Sequence, residues 1–188
     1  MQRRPLLDAL QEYGARHPGE AVTVARFRQF VTANAQCFER SLVCGHVTGS
    51  AWLVDPTGRE VLLTHHMKLG IWVQLGGHAD GDSDTFAVAR REAEEESGLA
   101  ASEAFDRRIF DLDIHRIPAR GSEPAHFHYD VRYALRATTG MGFRVSSESR
   151  ALAWVRIVSL ADVTTPSAFT TEASILRMAL KWQTRAGV

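Results

Sequence analysis

Apolar positions follow two rhythms along the chain, and the rhythm changes near residue 40. Leu6, Leu7 and Leu10 fall at helical spacing; Gly14 and His17-Pro18-Gly19 interrupt it, and Phe27, Phe30, Val31 and Phe38 resume it. Residues 1–40 are therefore predicted to be helical. Short apolar runs bounded by turn residues come next. Ala51–Val54 and Val61–Thr64 flank Asp55-Pro56-Thr57-Gly58, where Asp opens a turn, Pro presets φ and Gly closes it. This is a β-hairpin signature. Ile71–Leu75 predicts another strand, running into Gly76-Gly77, and residues 85–97 predict a helix ended by Gly98 as its cap. Ile109–Ile114, Phe127–Leu135 and Ala153–Ile157 predict strands. Thr171–Trp182 predicts a closing helix with Ile175, Leu176, Met178 and Ala179 as its apolar side. Strands and helices mix without regular alternation, which favours an α/β (α+β) domain with a mixed sheet over a doubly wound parallel one.

A length of 188 residues suits one domain, and 45% hydrophobic against 23% charged residues is enough apolar material for a core. Lys plus Arg equal Asp plus Glu at 22 each, which removes the broad basic field of a dedicated nucleic-acid binder. No run approaches the ~18 apolar residues of a membrane helix, and no apolar stretch follows the charged start in the manner of a signal peptide. With two cysteines, Cys37 and Cys44, a reducing, cytoplasmic setting is expected.

Chemistry concentrates in Arg90-Arg91-Glu92-Ala93-Glu94-Glu95-Glu96-Ser97-Gly98-Leu99. On a helix, Glu92, Glu95 and Glu96 share one face, where like charges repel by a few tenths of a kcal/mol per pair. A divalent cation relieves that repulsion, and Mg²⁺ is commonly held by a few carboxylates plus substrate phosphates. A solvated, charge-rich helix is the plainer alternative.

The wider spacing decides between these. Gly77 is followed after five residues by Ser83, after seven more by Arg91-Glu92, then Ala93, one residue, Glu95-Glu96, one residue, and Gly98-Leu99. This resembles the Nudix box, a loop–helix–loop signature spanning 77–99 here, with Ser83 where the family has its first glutamate. The resemblance implies a Nudix fold, a mixed β-sheet sandwiched between helices. It divides the chain into an N-terminal helical extension (1–40) and a Nudix hydrolase domain (41–188). It implies a pyrophosphohydrolase that cleaves the diphosphate linkage of a nucleoside diphosphate joined to another moiety. Mg²⁺ or Mn²⁺ would be held by Glu92, Glu95, Glu96 and the backbone carbonyl of Gly76. Glu92 or Glu95 would help activate water. Glu148, ahead of a predicted strand, corresponds to an extra acidic residue in many family members and is a candidate general base or additional metal ligand. Gly77, Arg91 and Gly98 would be structural. Asp80, Asp82 and Asp84 are candidates to replace the missing glutamate, and a catalytically weak or inactive module that binds a nucleotide or a protein partner is the alternative. The implied partner is a nucleotide-derived small molecule, with no stable nucleic-acid or membrane partner; a homodimer stays open.

Histidines form a second constellation. In a strand, His126, His128 and Asp130 point to one face and Phe127 and Tyr129 to the other. Zinc or iron ligation, substrate contact and a structural polar face are the three readings of the first set. His78 directly follows Gly77 and, with His126 and His128, is a candidate substrate-binding residue. Trp72, Phe127 and Tyr129 are either core or platforms for a base.

Overall fold

In the computed structural model, residues 2–67, 70–99, 102–138, 142–145, 149–161 and 171–186 are described. Helix α1 (Arg4–Arg16) begins with Pro5 in its first turn, where the missing N–H costs nothing. It buries Leu6, Leu10 and Tyr13 against α2 (Ala21–Ala33), which buries Val24, Phe27, Phe30 and Val31. A Cβ on Gly14 would meet Val24 Cγ1 at 3.2 Å, so the glycine allows a close approach of the two helices. Helix α2 stops at Ala33, short of the predicted helical stretch: Asn34 is extended, and its side-chain amide donates to the Phe30 carbonyl. Cys37 and Phe38 are buried from turns, so their apolar character reflects core packing and not helical periodicity.

The remaining elements are β1 (Gly45–Val54), β2 (Glu60–His66), β3 (Trp72–Val73), β4 (Leu75–His78), α3 (Thr85–Ser97), β5 (Ser102–Ala104), β6 (Asp111–Ile117), β7 (His126–Ala137), β8 (Ser149–Arg156), α4 (Ile157–Ala161) and α5 (Ala173–Ala186). The α/β class with a mixed sheet and an N-terminal pair of helices agrees with the sequence pattern. Two compact units account for the chain. The first is Met1–Ser50, Gly76–Ala89 and Asp106–Tyr133; the second is Ala51–Leu75, Arg90–Phe105 and Ala134–Val188. β1, β4, α3 and β7 each contribute residues to both.

In the first unit, β6 and β7 run antiparallel in register from Asp111↔Arg132 to Ile117↔His126, and β4 pairs with β1. Because side chains alternate along a strand, this register fixes which residues of β7 face α2 and which face away. Tyr129 stacks on Phe30 with ring centroids 3.7 Å apart and meets Phe27 edge-on at 5.3 Å. Its ring is therefore core.

In the second unit, β1 closes the predicted hairpin through Val54↔Val61. Asp55 anchors the turn: its carboxylate accepts hydrogen bonds from the backbone N–H groups of Thr57, Arg59 and Glu60 and from the Thr57 hydroxyl. β2 pairs antiparallel with β8 from Glu60↔Arg156 to His66↔Ser149 and with β3 through Thr64↔Val73. α4 packs on α5, and the Trp182 indole of α5 donates to the Gly58 carbonyl at 2.8 Å. The predicted strand at 71–75 divides into β3 and β4. Ile157 starts α4 instead of ending a strand. β5 and α4 are too short to show a period in sequence.

Candidate functional site

Helix α3 occupies the residues that periodicity assigned to it, and its ends explain why. Asp84 Oδ1 accepts from Ala87 N–H at 3.0 Å, satisfying a donor that the first turn leaves open. At the other end Gly98 adopts φ 67°, a left-handed conformation suited to glycine, while its N–H donates to the Glu94 carbonyl at 2.9 Å. The Ser97 hydroxyl donates to the Ala93 carbonyl and accepts from Leu99 N–H.

Along the second half of α3, Glu92 is half-buried, Glu95 exposed and Glu96 buried. Ala93, on the same turn, is in the core. Arg91 donates to Glu92 Oε1 at 3.1 Å. Burying a carboxylate such as that of Glu96 is costly unless positive charge or donors compensate it. The three carboxylates are hard oxygen donors of the kind Mg²⁺ and Mn²⁺ take, but with Glu95 exposed between half-buried Glu92 and buried Glu96 they do not converge as a preformed ligand group; among the described residues only His46, His78 and His128 do. Glu148 lies outside the described residues.

The loop before α3 commits its aspartates elsewhere. Asp80, at φ 48°, forms a two-pronged ion pair with Arg40. Asp82 Oδ1 accepts from Asp84 N–H, and Asp84 caps α3 and faces Arg107 at 3.7 Å. Gly76, in β4, crosses Ser50 so closely that a Cβ there would lie 2.8 Å from Ser50 Cα. Gly77 belongs to the same strand.

The first unit gathers histidines from three strands. His46 of β1, His78 of β4 and His128 of β7 present ring nitrogens all within 4.8 Å of one another. His126 joins them, its ring centroid 5.0 Å from that of His46 and its Nε2 3.4 Å from His128 Nε2. His46 is 2% exposed, and neither of its ring nitrogens has a hydrogen-bond partner among the described residues. Burial, reinforced by the neighbouring His78 and His126, lowers the His46 pKa to about 4; burial with His46 and His115 lowers that of His128 to about 2. Burial likewise holds His78 below the usual imidazole range. Held below the usual imidazole range, His46, His78 and His128 favour the neutral form, whose unprotonated ring nitrogen accepts a hydrogen bond or ligates a metal ion. The three candidate substrate-binding histidines thus come together, with a fourth that spacing in the sequence did not reveal.

Asp130 shares the face of His126 and His128 as expected, but its carboxylate serves a different partner. Its Oδ1 accepts from Thr48 (2.9 Å) and Ser50 (2.8 Å), and its Oδ2 from Arg132 Nε (2.7 Å). Arg132 is fully buried and also faces Asp111 at 3.2 Å and Asp113 at 3.4 Å. Burial disfavours the charged guanidinium, yet Asp130, Asp111 and Asp113 outweigh it and raise its pKa. Asp113 in turn bonds His115 at 2.9 Å; burial opposes protonation of His115, but this bond and the charge of Asp130 raise its pKa. Elsewhere, Trp72 stacks on His65 at 5.1 Å and the Arg26 guanidinium lies 4.7 Å over the Phe127 ring.

Comparison with known proteins adds three findings. The family model described as NUDIX domain matches residues 46–177. No match was found among curated proteins. Among solved structures, the chain is similar to the E. coli dihydroneopterin triphosphate pyrophosphohydrolase (TM-score 0.55, 14% identity, 71% of this chain and 91% of that one). It is also similar to a MutT NUDIX hydrolase from Burkholderia pseudomallei (TM-score 0.51, 25% identity, 73% and 97%). A C. elegans Ap4A hydrolase in a binary complex is a third (TM-score 0.50, 16% identity, 76% and 98%).

Proposed function

This chain belongs to the NUDIX family, and on that premise we propose that it is a divalent-metal-dependent pyrophosphohydrolase of nucleotide-derived small molecules. The observation that carries the reading is the placement of Glu92, Glu95 and Glu96 on one helix whose two ends are built by the box residues themselves. Residues 41–188 would form the catalytic domain and residues 1–40 its helical extension, acting in the cytoplasm.

Glu92, Glu95 and Glu96 would hold Mg²⁺ or Mn²⁺. When bound, such an ion neutralises diphosphate charge and lowers the pKa of a coordinated water. The chain supplies the remainder. Arg91 orients Glu92 through the bond between them. Glu95, exposed to solvent, would take a proton from the attacking water, with Glu148 the further candidate base. The Gly98 N–H satisfies the Glu94 carbonyl, one of those the last turn of α3 leaves open.

The test is turnover of a panel covering nucleoside triphosphates, dinucleoside polyphosphates, nucleotide sugars, ADP-ribose and CDP-alcohols, with Mg²⁺ or Mn²⁺. Activity should appear on at least one class, and Glu95→Gln or Glu96→Gln should lower kcat by about 10²-fold or more with the fold unchanged by circular dichroism. Full activity in both variants would overturn the assignment. Ser83 favours a second reading, a catalytically weak module, because Asp80 and Asp84 beside it are committed to Arg40 and to the helix cap. Nucleotide binding without turnover by the wild-type protein would select it.

A further inference from the structure

Beyond the glutamate stripe, we propose that His46, His78 and His128 form a separate binding site for one Zn²⁺-class transition-metal ion, with His126 as the fourth nitrogen donor. Three observations point to this. Four imidazoles from β1, β4 and β7 converge within one unit of the fold, and the ligand atoms of three lie within 4.8 Å of one another. Tetrahedral Zn–N bonds of about 2.0–2.1 Å place neighbouring ligand nitrogens about 3.3 Å apart. The His126 Nε2 to His128 Nε2 separation of 3.4 Å already equals that edge, and the three edges among His46, His78 and His128 need to close by no more than about 1.5 Å.

The second observation is His46. Its two nitrogens are buried and unbonded among the described residues, a condition buried polar atoms rarely keep without a purpose. The third is tautomer. His126 Nδ1 lies 2.9 Å from the Pro124 carbonyl, which can only accept, so Nδ1 carries the proton and Nε2 presents its lone pair toward the cluster. A ligating histidine is commonly oriented by such an outer bond.

The donor set names the metal class. Neutral imidazoles suit Zn²⁺, Cu²⁺, Ni²⁺ or Fe²⁺ and suit Mg²⁺ poorly. The surrounding carboxylates do not change this: Asp130 is bound to Arg132, Thr48 and Ser50, Asp80 to Arg40, and Asp113 to His115. Glu123, exposed and 3.8 Å from His126 Nε2, supplies the nearby negative charge.

The experiment uses the full chain, freed of any histidine tag and stripped with a chelator. Titration with Co²⁺ should produce the visible bands of tetrahedral cobalt, saturating at one ion per chain and erased by one equivalent of Zn²⁺. Excess Mg²⁺ should leave them unchanged. His128→Gln should weaken Co²⁺ binding beyond the roughly 10–100-fold that loss of an outer supporting residue costs, whereas Glu95→Gln and Glu96→Gln should bind it as the wild type does. Because His46→Ala empties a buried position, X-ray absorption of the wild-type Zn²⁺ protein provides a reading that needs no variant: imidazole scattering from several ligands. Absence of the bands at one equivalent, a first shell without imidazole, or bands that depend on Glu95 instead of His128 would each overturn the site. Since the readout is optical and not catalytic, its failure leaves the pyrophosphohydrolase assignment standing, and the converse holds.

Discussion

Replacing Arg132 with leucine removes the only side chain that bonds Asp130 from the same strand and also faces Asp111 and Asp113 among the described residues. The guanidinium is fully buried, and the carboxylates of Asp111 and Asp130 are 0% and 2% exposed. In Arg132→Leu these acids stay in the interior without their cation. Breaking one buried ion pair costs about 3–5 kcal/mol. Asp130, Asp111 and Asp113 face this cation at 2.7, 3.2 and 3.4 Å, while Thr48 and Ser50 still donate to Asp130 and His115 still bonds Asp113, so a loss within that range is expected. For a chain of this size the corresponding loss in Tm is about 6–20 °C. The sign of the pH dependence follows. Burial without a cation raises the pKa of the orphaned acids above their unfolded values, so the folded variant binds more protons than the unfolded chain. Its deficit against wild type should therefore shrink as pH falls from 7 toward 5. Urea denaturation followed by circular dichroism at several pH values measures both effects. Asp130→Asn should destabilise the wild type but partly rescue Arg132→Leu. A loss under about 1 kcal/mol, or a deficit independent of pH, would refute a network held by this cation.

Three further outcomes follow from local geometry. Gly76→Ala must displace β4 from Ser50, because the new Cβ has 2.8 Å to Ser50 Cα; overpacking of this kind costs about 1–3 kcal/mol, and thermal melts should show it. Asp55→Ala removes the acceptor of four hydrogen bonds, at about 1 kcal/mol each, and denaturant titration should show a loss of several kcal/mol. Burial opposes ionisation of Asp55, but the bonds from Thr57, Glu60 and Arg59 outweigh it and lower its pKa, so its contribution is present above about pH 4 and fades as acid protonates it. Exposed Cys44 should react with a thiol reagent in the native protein, while Cys37, fully buried and with its pKa pushed up to about 11 chiefly by burial, should react only after unfolding; equal rates would contradict the packing.

Much of this protein was legible in one dimension, and the exceptions have physical causes. The hairpin at 51–64 and the helix at 85–97 could be read because their turn and cap residues act within a few positions of themselves: Asp55 on 57–60, Asp84 on Ala87, Gly98 on Glu94. The glutamate stripe is legible for the same reason, since helical spacing alone puts Glu92, Glu95 and Glu96 on one face. Phe38 misled because burial in a turn and burial on a helix select the same residue type.

Tertiary structure decided what sequence spacing leaves open. His46 stands 32 positions before His78 and 82 before His128 in the chain, and only the pairing of β4 and β7 with β1 brings the three rings together. Asp130, equally placed along β7 to join them, was drawn instead to Arg132, because a buried guanidinium requires a buried carboxylate nearby. Local sequence specifies contacts that span a turn of helix or a tight bend; which distant polar groups satisfy one another depends on strand register, and register exists only once the sheet has formed.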